Sequence, residues 1–185
     1  MLATALDMNS PVALRYPRDE APGPRRMATN KLPVGKAELL RAGGDVALIA
    51  IGPPAIAALG AAEKLDSMGI QARVINARFV TPIDEAAVVS AAAECHALVV
   101  IEENVAQGGF AGAVLECLAR NRALDVTLET VSLPTAFVGH GKASDLRAAY
   151  GLNAQGIVGA ALRAFSEPRP ETAEQEEQVV IRQGI

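Results

Sequence analysis

Few residues in this chain are of a type and spacing that do chemistry, and the sharpest group is Arg15-Tyr16-Pro17-Arg18. Two guanidiniums stand close in sequence, with Pro17 stiffening the backbone between them. The planar fork of Arg meets phosphate oxygens in two places, so the cluster reads either as a phosphate clamp or as surface charge. Glu102 and Glu103 are adjacent, so on an extended chain they point to opposite sides. That suits a polar strand cap better than an acid/base pair, and both remain candidates for a loop or interface role. His140, held between Gly139 and Gly141 and followed by Lys142, is a further candidate of that kind. His96 follows a predicted helix C-terminus, where a cation is welcome, and reads as structural. Gly108-Gly109-Phe110-Ala111-Gly112 lacks the G-x-G-x-x-G spacing. Its loop-to-helix form suits an anion cradle, but a tight loop and close helix packing account for the glycines as well.

G-x-S-x-G, the P-loop and H-E-x-x-H are all absent from the sequence. No catalytic residue and no metal ligand is therefore assigned. Cys95 and Cys117 are too few and too far apart for a zinc or CxxC site, and read as small buried hydrophobes in a reducing compartment.

The 185 residues are 50% hydrophobic but only 3% aromatic, with no Trp. A core of that composition must be Ala, Val, Leu and Ile, which suits Ala-rich helices on Val/Ile strands. A net charge of −4 with scattered Lys and Arg argues against a nucleic-acid partner. Neither a membrane-length apolar run nor a signal pattern is present, so a cytoplasmic chain is expected.

The elements that must position these residues alternate. The run Ala97 to Ile101 reads as a strand buried on both faces, stopped by Glu102-Glu103-Asn104. Phe110, Val114, Cys117 and Leu118 then give one helical face. Upstream, Val34 to Arg41 reads as an edge strand, Val46 to Ile51 as a central one, and Ile56, Leu59, Ala62 and Leu65 as a helix closed by Gly69. Ala72 to Asn76 is a predicted strand, and Thr81-Pro82-Ile83-Asp84-Glu85 opens a helix running to about Glu94. Strand 126–131, loop 134–141 and helices 143–150 and 154–165 follow. This predicts an α/β fold: a mostly parallel sheet of about five strands with helices on both faces and one antiparallel edge strand. Residues 1–17 offer a helix end and one strand, Pro11 to Tyr16, which cannot bury themselves and should leave apolar surface exposed. Residues 19–31 read as a linker, and 166–185, rich in Pro and Glu, as a disordered tail.

PVALRYPR, then LPVGKAELLRAGGDVALIAIG, INARFVTPIDE, VVIEENVAQGGFAGAVLE, LPTAFVGHG and AAYGLNAQGI together resemble the 1-deoxy-D-xylulose-5-phosphate synthases, thiamine-diphosphate enzymes of the transketolase family. The resemblance spans residues 3 to 165 and rests on the combined motifs. It implies that 1–18 is the end of a pyrimidine-binding domain and 32–165 a transketolase C-terminal domain. It also implies that Arg18, with Arg15 as a further candidate, faces the phosphate of the aldehyde substrate. Asp19 stands where the family usually has Gly. That family joins pyruvate to glyceraldehyde 3-phosphate with release of carbon dioxide, on the route to isoprenoids.

The family's magnesium-binding diphosphate segment and its cofactor-activating glutamate belong to domains outside these motifs. The resemblance therefore implies a chain that binds neither thiamine diphosphate nor magnesium by itself. It would be inactive unless the N-terminal and pyrimidine domains are supplied in trans, with a homodimer as the family's assembly. Two other readings stand beside it. One is the partner-docking C-terminal domain of a 2-oxo-acid dehydrogenase β chain, against which the RYPR and LPVGK pairing argues. The other is a non-catalytic α/β binding module.

Overall fold

The structure, a computed structural model, describes residues 1–17 and 31–167. The expectations for Arg18, for linker residues 19–30 and for tail residues 168–185 lie outside the described residues. Five strands form one sheet in the order β1-β3-β2-β4-β5: β1 (Glu38–Arg41), β2 (Val46–Ala50), β3 (Ala72–Asn76), β4 (Ala97–Val105) and β5 (Thr127–Leu133). β1 is antiparallel to β3 at one edge, and every other pairing is parallel. Although β1 and β2 are consecutive, β3 lies between them, so Gly43-Gly44 serves a crossing and not a hairpin. A Cβ on Gly43 would come within 2.5 Å of the Arg73 nitrogen and 2.6 Å of the Gln71 carbonyl oxygen, so this turn requires glycine.

Six helices accompany the strands among the described residues: α1 (Leu2–Leu6), α2 (Pro54–Asp66), α3 (Glu85–Glu94), α4 (Phe110–Arg120), α5 (Ala143–Ala149) and α6 (Ala154–Ser166). Alternation along the central strands decides which face each helix covers. Val46, Leu48, Ala50, Val99 and Ile101 pack with Leu65 and the Ala-rich sides of α2 and α6. Ala47, Ile49, Leu98 and Val100 pack with Val88 of α3 and with Phe110, Val114 and Leu118 of α4. Both faces are covered, as the unbroken apolar runs of β2 and β4 require. The four predicted core residues of α4, Phe110, Val114, Cys117 and Leu118, are all buried.

Two boundaries differ from expectation. β4 does not stop at the polar patch but runs through Glu102, Glu103 and Asn104 to Val105, and partners in other elements satisfy the Glu102 and Glu103 side chains. Residues 11–17 are not a strand: β1 and β5 form the sheet's edges and neither pairs with them. In the N-terminal segment Thr4 is buried and accepts from the Leu32 N–H at 2.8 Å, whereas Leu2, Leu6 and Tyr16 stay exposed. Among the described residues no helix is long and apolar enough to cross a membrane.

Candidate functional site

The carboxyl ends of parallel strands in an open α/β sheet are where loops converge, and the end of β4 gathers Arg15, Glu102 and Glu103 of the residues singled out in the sequence. Period-two alternation sends Glu102 to the α4 face, after Leu98 and Val100, and Glu103 to the opposite one. Glu102 Oε2 accepts the Phe110 N–H at 2.7 Å, and Oε1 accepts the Ala111 N–H at 2.8 Å. These are the first two N–H groups of α4, which have no partner within the helix, and an anion is favoured beside them. The side chain is only 2% exposed. Glu102 is thus an internal cap and not the loop or interface residue expected of it. It also fills the position where an anion would sit, so the Gly108–Gly112 turn is not a free cradle. Gly109 makes the fit: a Cβ there would run into both Glu102 carboxylate oxygens and the Val105 carbonyl.

Glu103 turns the other way. Its Oε1 accepts from Arg147 Nε of α5, with both side chains about three-quarters buried (25% and 27% exposed). Its main-chain carbonyl accepts from Arg15 Nη2 at 2.9 Å. The structure therefore brings Arg15 and Glu103 together, and adds Arg147, which sequence reasoning missed. No local signal could have found it, since the partners lie 44 residues apart.

His140 sits exposed in the 134–142 loop, outside the Glu103 contacts given above. Three residues before it, Phe137 is fully exposed, and α5, which follows, has no buried residue. The exposure of Phe137 was unforeseen, although an aromatic placed in a predicted loop was the available signal. His96 is structural, as expected: Nε2 lies 2.9 Å from the Glu167 carbonyl oxygen and its ring meets Phe165 edge-on at 5.3 Å.

On the far side of β2, Asp84 caps α3 through the Ala87 N–H at 3.4 Å and accepts from the Ala37 N–H at 3.0 Å and Lys36 Nζ at 3.3 Å. Burial acts to raise its carboxyl, and these three donors outweigh burial and hold it below the ordinary value. A cavity of about 10 Å³ beside it, lined by Ile49, Ile75, Val88 and Phe110, has room for one water and not for an organic substrate. Both cysteines are buried and unpaired, and burial pushes each thiol up. Among the described residues no group of three or more His, Cys, Asp or Glu is arranged to hold a metal ion.

Among the described residues, the thiamine diphosphate and magnesium of the resembling synthases do not fit the side chains at these strand ends. The α4 N-terminus that follows the Gly-bearing loop is filled by Glu102, and the acidic side chains near the strand ends are committed to Arg147, Lys36 and backbone N–H groups.

The transketolase C-terminal domain family matches residues 35–157. The chain is 44% identical over 166 residues to 1-deoxy-D-xylulose-5-phosphate synthase 1 of Geobacter sulfurreducens, covering 89% of this chain and 26% of that protein. It is 43% identical to the synthase of Desulforudis audaxviator and 42% identical to that of Pelotomaculum thermopropionicum, covering 85% and 91% of this chain. The chain thus spans about a quarter of the length of these relatives (26%, 25% and 27%). Among solved structures it is similar to a split-gene transketolase described as an inactive β4 tetramer, with a TM-score of 0.69 and 31% identity over 74% of this chain and 44% of that one. The five-stranded sheet, its covered faces and the matched span together mean that the chain belongs to the transketolase C-terminal domain family.

Proposed function

We propose that the chain serves as the C-terminal domain of a 1-deoxy-D-xylulose-5-phosphate synthase, which joins pyruvate to glyceraldehyde 3-phosphate with loss of carbon dioxide. The carrying observation is the identity of 42–44% over 85–91% of the chain to proteins of that name. In this reading 32–165 is the domain proper and 1–18 the end of the pyrimidine domain. The exposure of Leu2, Leu6 and Tyr16 suits a segment covered by the rest of that domain. Arg18, with Arg15, meets the phosphate of the aldehyde.

The chain is inactive alone and gains activity when the N-terminal and pyrimidine domains are supplied by another chain, in a homodimeric assembly of the family type. The likeness to a protein described as a split-gene transketolase supports supply in trans. Thiamine diphosphate and magnesium are held by those other domains and supply the chemistry that activates pyruvate. The two free, buried thiols agree with a cytoplasmic setting. The exposed arm with Phe137 and His140 is the proposed interface.

Synthase activity with pyruvate, glyceraldehyde 3-phosphate, thiamine diphosphate and magnesium tests this. Turnover is expected only when the chain is mixed with the two missing domains, and then falls with Arg18→Ala. Turnover by the chain alone, or none in the mixture, overturns it.

A further inference from the structure

Residues 11–17 run beside the domain without pairing to any strand, and all but Leu14 are exposed. Among the described residues one hydrogen bond joins them to it, from Arg15 Nη2 to the Glu103 carbonyl. That carbonyl is available for a reason visible in the sheet. Pairing of β4 with β2 ends at Ala50–Ile101, and pairing with β5 passes from Ile101–Val131 to Val105–Leu133. Residues 102–104 are skipped on both sides, and a main-chain acceptor left without a ladder partner takes a side-chain donor instead.

The same residue carries a carboxylate a few ångströms from that acceptor. An uncompensated carboxylate there would compete for Arg15 and repel any anion approaching the segment. Arg147 removes both effects by engaging Oε1 from α5.

We propose that Glu103 and Arg147 are positioning residues for the arginine segment: the Glu103 carbonyl tethers Arg15, and Arg147 neutralises the Glu103 carboxylate so that Arg15 stays directed to an anionic, phosphate-bearing substrate. This deepens the synthase reading and rests on it for the identity of the substrate. The tether itself does not depend on that identity. Neither residue touches substrate, and Arg147 acts through Glu103.

Two readouts test the pair separately. A nitroxide placed at Tyr16→Cys, where the native side chain is 84% exposed, reports the tether in the chain alone. Arg15→Met should abolish the slow-motion component of its spectrum, and an unchanged spectrum overturns the tether. In the chain mixed with the missing domains, Arg147→Met should raise the KM for the phosphorylated aldehyde about tenfold at unchanged kcat, and adding Glu103→Gln should restore it. A merely structural ion pair would instead lower the unfolding midpoint of the Arg147→Met chain and its kcat, without a selective change in KM. A fall in kcat at constant KM, or a double variant no better than Arg147→Met, overturns the neutralising role. A mixture without turnover sinks the synthase reading, and the nitroxide spectrum then decides the tether by itself.

Discussion

Glu102 on β4 and Phe110 at the first turn of α4 are joined by a 2.7 Å hydrogen bond from the Phe110 N–H to Oε2. With the parallel bond from Ala111, it makes a strand-end carboxylate the cap of the next helix. The strand, the loop and the helix are thereby one rigid unit, and the arms that carry Arg15 and Arg147 meet on its other side.

Glu102→Ala leaves two buried N–H groups unpaired at a helix start. Unfolding in urea should show a loss of about 3 kcal/mol, with Glu102→Gln losing about half as much because it keeps one acceptor oxygen. A loss below about 1 kcal/mol for Ala would contradict the capping role.

Gly109→Ala drives a methyl into the Val105 carbonyl and the Glu102 carboxylate. The expected cost is about 2–3 kcal/mol, as for other overpacked sites. Gly44→Ala is the control: a Cβ there meets nothing within 4 Å, so its stability should stay within about 0.5 kcal/mol of the parent. Thermal unfolding of the two variants side by side separates them.

Asp84, held below its ordinary value, stabilises the fold in its charged form. Its contribution is fully present above about pH 3.9, the usual Asp value, and is lost as pH falls through the depressed folded value. Asp84→Asn should therefore be less stable than the parent at pH 7, with the gap in urea midpoint closing only below about pH 4. A gap that widens on acidification would reverse the sign.

Cys95 and Cys117 are buried, and burial favours their neutral thiols. Folding stability from this source is present below about pH 8.5 and is lost as pH rises through the raised folded values. With an aromatic disulfide reagent at pH 8, the folded chain should react far more slowly than the urea-unfolded chain, which should titrate both thiols at once. Rapid reaction of either thiol in the folded chain would show a mobile or exposed site.

Local pattern was enough for the layered fold. The continuous apolar runs of 46–51 and 97–101 can only be strands with both faces covered, and Phe110, Val114, Cys117 and Leu118 can share a face only on a helix. The same alternation made Glu102 and Glu103 diverge, and the structure bears this out: one carboxylate caps α4 and the other meets α5.

What those two residues do was decided only in three dimensions. Glu102 finds its partners eight and nine residues on, and the Glu103 side chain finds Arg147 at a separation of 44 residues. The Glu103 carbonyl finds Arg15 at a separation of 88. Periodicity reports which face of an element a residue occupies, because that follows from backbone geometry within a few residues. It carries no information on which distant element closes over that face. For Glu102 that element is a helix N-terminus short of acceptors, for the Glu103 side chain a guanidinium, and for its carbonyl an arm with no strand of its own to join.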